Sequence, residues 1–429
     1  MAGDDDLDRA CKSIPVESCK ETPRNFRTNV YNGAASKLAE QIAGPNLILP
    51  WLFQLLGTPI WMFGFLMPIK QTFSLLPQMV VAGQIRQLTR RKWVWVGSGI
   101  VQALCLLLMI PVALWFPPTP AGFTLLALLV IFSTASGTAS VAFQDVLGKT
   151  IDKGHRGKLL ARRALVGGIL TTVAGLLLTR YRGNQQDLTP VLILLLVAAV
   201  LWVLAALFFA LIREFPGAVQ GGRNAISESR AGLQFFRQQR GFRQFLLARS
   251  LLLSVELATP FFILHAGHLL QLKIQSIGAL VVAVGISQML SSPFWGQMAD
   301  RTSKNVMSLS ALIAFSSVLL AIILTFVPVY SIQYSGYLLV FVLIGLAEAG
   351  VRLGRKTYLV DATPHEERAT YTAFSNSMVG IIAIISGVTG LVAQWLGASV
   401  MLLVIAVFML FGFLACRKMP EADAMITID

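Results

Sequence analysis

Apolar runs of about 20 residues recur along this 429-residue chain, each long enough for a helix to cross a hydrocarbon core. Twelve can be counted: residues 35–56, 60–83, 93–116, 122–146, 165–178 and 190–212, then 245–264, 277–297, 307–327, 337–354, 371–396 and 398–414, the fifth reaching spanning length only with an earlier start as a cytoplasmic helix extension. With 55% of residues hydrophobic and 13% charged, there is too little polar sequence to coat a soluble protein of this length. In lipid every backbone group must be satisfied internally, so the expected fold class is an all-α integral membrane protein.

The net charge of +14 does not point to nucleic acid, because the Lys and Arg residues gather in alternate loops. Loops after runs two, four, six, eight and ten carry them; those after one, three, nine and eleven do not. By the positive-inside rule both termini are expected in the cytoplasm, and the setting is expected to be a bacterial inner membrane. Arg180 and Arg182, in a loop expected outside, break the alternation. The acidic start (Asp4, Asp5, Asp6) excludes a cleavable signal peptide, so residues 1–30 read as a cytoplasmic tail, mostly disordered. Cys11, Cys19, Cys105 and Cys416 have no metal-ligand spacing and read as reduced structural thiols. Residues 213–243 form the longest connector, between bundles at 31–212 and 244–416, with a tail at 417–429. Within the connector, Ser227 to Arg240 reads as a basic amphipathic helix, lying on the anionic leaflet or simply solvated.

An internal repeat divides the chain. Gly83 and Gly296 lie 213 residues apart, while Arg156 and Arg368, Ala161 and Ala373, Gly168 and Gly380, and Gly175 and Gly387 each lie 212 apart. These coincidences predict two homologous six-helix bundles related by a pseudo-twofold axis. Gly168 and Gly175 share a helix face, as do Gly380 and Gly387, so close helix approach is expected there.

The segment GQMADRTSKN, with Gly296, Asp300, Arg301 and Lys304, resembles the loop signature of the major facilitator superfamily of transporters. A weaker copy, GQIRQLTRRK, keeps Gly83, Arg90, Arg91 and Lys92 but has Gln87 in place of the Asp. The resemblance implies alternating access between two six-helix halves, with this loop closing the cytoplasmic side. It places a cytoplasmic gate at Gly83, Gln87, Arg156, Gly296, Asp300, Arg301, Lys304, Asp361 and Arg368. Asp300 should then meet the start of the fifth helix near Arg156, and the uncharged Gln87 the start of the eleventh near Arg368. That would be a latch charged on one side only.

No phosphate-binding loop, His/Glu metal motif or nucleophile elbow is present, so neither enzyme, cofactor, metal site nor ATP-driven pump is expected. The informative residues are charges inside apolar runs, which are costly in lipid unless they face a cavity or a partner. Glu256 is the first candidate for carrying protons, followed by Glu40 and Glu348. Lys70, Arg249 and Arg352, with Asn46, Gln71, Ser136 and Ser140, are candidates for holding an anionic or zwitterionic substrate. At the repeat offset Ser136 and Ser140 correspond to Glu348 and Arg352, so the two halves present different chemistry.

Blander readings stand beside these. Glu348 and Arg352 could neutralise each other, Lys37 and Arg249 could snorkel to the interface, and the serines could bond their own backbone. The expected function is a proton-coupled secondary transporter for a small organic anion or zwitterionic metabolite. Its expected partners are that substrate, protons and the bilayer, with the protein monomeric. The rivals are a multidrug/proton antiporter, a lipid translocase and a non-transporting scaffold. The Gly-Pro-Gly-Gly pattern resembling that of drug/proton antiporters is missing from the fifth run.

Overall fold

The computed structural model describes residues 16–44, 48–151, 153–179, 187–216, 225–270, 274–299, 301–363 and 367–425. Among them every regular element is a helix. Twelve spans follow in order. The first is Thr22–Ile42 continued by Ile48–Leu56, the second Phe63–Arg86, the third Lys92–Trp115, the fourth Pro118–Thr150, the fifth Lys153–Thr179 and the sixth Thr189–Ala210. The linker helix Ala225–Gln238 leads to the seventh span, Arg240–Leu251 with Leu253–Leu270. The eighth is Ile274–Ala299, the ninth Ser303–Thr325 and the tenth Tyr330–Ala362. The eleventh starts as Arg368–Ser386 and resumes at Thr389. It turns at Gly397, whose φ of 83° only glycine adopts readily, into the twelfth, which ends at Lys418.

Nine of the described helices are long and apolar enough to cross a membrane. Their outer faces carry large exposed apolar side chains, such as Leu104 and Leu108, Leu204 and Leu207, and Phe408 and Phe411. Soluble proteins hide such surface; a multi-pass membrane protein turns it to lipid.

Packing repeats with the sequence. In the first half the first span packs on the fifth and sixth, the second on the fourth, and the third on the fourth and sixth. In the second half the seventh packs on the eleventh and twelfth, the eighth on the tenth, and the ninth on the tenth and twelfth. The same set of neighbours, shifted by six, gives two equivalent bundles. The anchoring of the third and ninth spans repeats too. Glu214, just after the sixth span, accepts from the backbone N–H of Arg91 (3.0 Å) and Lys92 (2.8 Å) and pairs with Lys149 at 3.0 Å. An anion at a helix start complements the macrodipole. In the second half Lys304 pairs with Glu421 at 3.3 Å, and Thr302 caps the ninth span by accepting from the Asn305 N–H at 3.1 Å. The Glu214 side chain is fully buried whereas that of Glu421 is 55% exposed. Glu214→Ala is therefore expected to cost about 3 kcal/mol and Glu421→Ala under about 1 kcal/mol. Thermal unfolding in detergent reads both; equal shifts would contradict the assignment.

Four expectations change. Helix Val16–Lys20 and the first span from Thr22 replace the later part of the disordered tail, where Asn25 and Asn29 are buried and Asn25 is tied to the Arg213 backbone. Cys19 is disulfide-bonded, its partner lying outside the described residues, while Cys105 and Cys416 are free and buried. The linker helix does not turn its apolar face to the leaflet: Phe235 stacks on Tyr371 at 4.4 Å and Phe236 meets Phe374, both on the eleventh span. Of the glycines, Gly175 lies so close to Gly278 and Val282 of the eighth span that a Cβ would collide. Gly168 has ordinary room, 3.7 Å from Met289.

The halves meet through the second and eleventh spans and the fifth and eighth. The tightest contacts lie at the face opposite the described chain ends. Gly64 of the second span meets Gly390 of the eleventh backbone to backbone, and Trp61 N–H donates to Gln394 at 3.2 Å. Gln54 closes on Gly267 of the seventh span there. Toward the face that carries Thr22 and Lys418 the halves diverge, and the space between them is the cavity described next.

Candidate functional site

Three connected compartments share Lys37. The central one, about 190 Å³, lies between the halves and is lined by Glu40, Lys70 and Gln71 from the first half and Glu256, Glu348, Arg352 and Arg355 from the second. Six residues singled out in the sequence are thus brought together: Glu40, Lys70, Gln71, Glu256, Glu348 and Arg352. The helices explain the convergence. The first, second, seventh and tenth spans turn their polar positions inward, because the outward positions face lipid.

Each carboxylate there has its own partners. Lys70 Nζ pairs with Glu40 Oε1 at 3.1 Å and lies 5.1 Å from the Phe132 ring centroid. Arg355 Nη1 stands 3.8 Å from Glu256 Oε1, and Gln71 Nε2 donates to the other oxygen. Glu348 accepts from Thr259 Oγ1 at 2.9 Å and from Gln288 Nε2 at 3.1 Å. No ion pair joins Glu348 to Arg352, although they sit one turn apart. The mutual neutralisation expected of them is replaced by two neutral donors. Glu348 is 7% exposed, and protonating it breaks no ion pair.

A second compartment, about 440 Å³, extends into the first half. Ser136 and Ser140 line it with Arg163, Gln102, Trp95 and Trp202. Backbone bonding applies to their neighbours instead: Thr134 and Thr138 donate to carbonyls four residues back. The third and largest, about 620 Å³, lies between the first, fifth, eighth and tenth spans. Lys37 lines all three compartments, so it faces the cavity rather than snorkelling.

Arg249 also does not snorkel, but it is not in the central compartment. It is 6% exposed and reaches the eleventh span, donating from Nη1 to Ser375 Oγ and from Nη2 to Asn376 Oδ1 at 2.7 Å. It lies behind Glu256 and Arg355, where it joins two spans. Asn46 and Asp300 lie outside the described residues, as do the side chains of Gly83, Arg156 and Arg368. Gln87, Arg301 and Asp361 are exposed at the face of the chain ends, and Gly296 has open space around it.

Sequence reading missed Gln288, Thr259, Arg163 and Lys356 as cavity residues. Gln288 could have been found by the criterion that found Gln71, a polar side chain inside an apolar run. Arg163 falls in the basic stretch just before the fifth apolar run, but the fifth span starts a full three turns earlier, at Lys153, and carries it inward to Asn29 and the Phe143 ring, 4.3 Å away. Nothing in the sequence marks Trp95 and Trp202 as cavity walls rather than packing.

Comparison with known proteins fits this architecture. Residues 245–425 match the Major Facilitator Superfamily. No curated protein matches the chain in sequence. Among solved structures, a point mutant of nucleoside transporter NupG superposes with a TM-score of 0.72 at 15% identity, over 91% of this chain and 99% of that one. A POT family transporter in complex with a thioalcohol-conjugated peptide gives 0.70 at 12%, over 94% and 97%. A D-xylose-proton symporter gives 0.67 at 12%, over 95% and 99%. Residues 245–425 therefore match the superfamily in sequence, and over 91–95% of its length the chain shares the fold of these solved transporters.

Proposed function

We propose that the chain is a proton-coupled secondary transporter that moves an organic anion or zwitterion across the cytoplasmic membrane by alternating access. The observation that carries this reading is the central compartment. Carboxylates and cations from both halves meet in one small space between two bundles that pivot on shared contacts. Relative rocking of the bundles would expose the same groups to either side in turn. The neighbours include a D-xylose-proton symporter, and proton coupling of the same kind is proposed here.

In this reading Glu348 carries the proton. It is the carboxylate whose hydrogen bonds come from neutral donors only, so loading a proton breaks no ion pair. This reading puts Glu348 ahead of Glu256, which the sequence placed first. Glu40–Lys70 and Glu256–Arg355 serve as pairs that substrate can open: an anionic group competes for Lys70 or Arg355, and Arg352 stands ready as a third donor. Both termini are placed in the cytoplasm, so the conformation seen here is open inward. Residues 31–212 and 244–416 act as the moving bodies and residues 213–243 as their connector. The gate residues Gly296, Arg301, Lys304 and Asp361 line the rim that closes when the bundles rock.

The test is uptake into proteoliposomes under an imposed pH gradient, screened with labelled organic anions, zwitterions and lipophilic cations. Gradient-dependent accumulation of an anion or zwitterion is expected. Accumulation of cations alone would favour a drug antiporter, and flux independent of the gradient would exclude proton coupling.

A further inference from the structure

Charge is unevenly compensated across the cavity. In the central compartment every carboxylate has partners. In the largest compartment Lys37, Arg162, Arg352 and Lys356 share one lining. Among the described residues none of the four has a carboxylate within ion-pair distance; Arg162 has only the face of Phe26, 5.4 Å away. Four cations in one lining, none of them in an ion pair, repel one another and favour an anion, although Lys37 and Arg352 also border the carboxylates of the central compartment. Two of them are guanidiniums, whose planar fork fits carboxylate or phosphate in a two-point grip. Beside the polar Gln41, Thr171, Gln288 and Ser292, the wall also carries an apolar part made of Leu165, Met289, Pro293 and Leu353. At about 620 Å³ the chamber is of a size for an organic ligand rather than a simple ion.

We infer that the transported substrate is an amphipathic organic anion, its charged group held by Lys37, Arg162, Arg352 and Lys356 and its apolar body seated against Leu165, Met289, Pro293 and Leu353. This rests on the transporter reading and names its substrate class. The cationic group supplies recognition of the head, and the apolar wall supplies affinity by taking hydrocarbon out of water. A purely polar anion would leave that wall unused.

The experiment measures binding of butanoate, hexanoate, octanoate, octyl phosphate, octylamine and 1-octanol to the full-length protein in lipid nanodiscs, then pH-driven flux of whichever bind. Affinity is expected to rise about fourfold per added methylene, the fold-change equivalent to about 0.8 kcal/mol. Octylamine and octanol are expected to bind at least about tenfold more weakly than octanoate, as loss of a charge-assisted contact implies. Arg352→Gln with Lys356→Gln should remove the preference for anion over alcohol. Leu353→Asn should flatten the chain-length series without removing that preference, and Lys418→Gln, exposed at the end of the twelfth span and outside the chamber, should change neither. Octanoate binding that displaces no co-purified lipid identifies a soluble acid; displacement of a co-purified anionic lipid identifies a lipid of the same chemistry.

Equal binding of butanoate and octanoate, or of octylamine and octanoate, would overturn the inference even if a polar anion were transported. Chain-dependent, anion-selective binding without gradient-driven flux would leave the site standing and overturn the transport reading instead.

Discussion

Glu348→Gln is expected to abolish uphill accumulation driven by a pH gradient while sparing exchange of substrate between two equally loaded sides. The separation follows from what the carboxylate touches. Thr259 Oγ1 and Gln288 Nε2 both donate to it, and neither carries charge. A Gln in its place keeps one acceptor oxygen and leaves one donor short, a loss of about 1 kcal/mol. That is too little to unfold a twelve-span protein, so the variant should purify normally. What it cannot do is exchange a proton with either side. Glu40→Gln and Glu256→Gln should behave differently. Each strips a cation in the same compartment, Lys70 at 3.1 Å or Arg355 at 3.8 Å, of its counter-charge, so substrate binding and exchange should change as well. Paired assays of accumulation and exchange, run across pH 5 to 8, read the difference. Accumulation that survives in Glu348→Gln would place the proton elsewhere.

How much of this was legible in the sequence depends on which physical constraint each residue answers. The order of most spans was readable because lipid enforces a run of about 20 apolar residues, a criterion that nine of the described helices meet. The repeat was readable because Gly175 and Gly387 stand where helices of opposite halves approach closely. The gathering of Glu40, Lys70, Gln71, Glu256, Glu348 and Arg352 was readable for the same reason in reverse, since a polar side chain in such a run must face inward. Their pairing was not. Helical spacing suggests Glu348 with Arg352, but spacing reports only neighbours on one helix. Thr259 on the seventh span and Gln288 on the eighth reach Glu348 from across the bundle. The linker helix shows the same limit. Its amphipathic pattern says that one face wants cover, not whether lipid or Tyr371 and Phe374 supply it. Arg163 was missed because a basic run at a membrane edge reads as a connector, even where the helix begins earlier and carries one of its arginines inside.

Gly390→Val is expected to release the seal opposite the chain ends and shift the protein toward the state open on that side. Gly64 and Gly390 cross with their backbones touching, and a side chain at either position collides with the other strand of the crossing. Nothing there is the flexible end of a side chain that could move aside: a Cβ on Gly390 meets the Trp61 carbonyl and the Gly64 Cα. Overpacking at a contact that exists in one state and is absent in the other penalises only the first. A penalty of about 1–3 kcal/mol translates into a roughly 5- to 150-fold change in the ratio of the two states. A reporter is available just inside the seal. Ala383 is 1% exposed, packed with Met67, Leu253, Leu257 and Val379 between the second, seventh and eleventh spans. Ala383→Cys, in a background without the native cysteines, should resist a membrane-impermeant maleimide applied from the sealed side and react much faster once Gly390→Val is added. Gly168→Ala is the control, because its Cβ would meet Met289 at an ordinary 3.7 Å and should leave labelling unchanged. Unaltered labelling in a well-folded Gly390→Val protein would mean that the glycine crossing is not what holds that side shut, and that the contact of Gln54 with Gly267 or of Gly175 with Gly278 bears the seal alone.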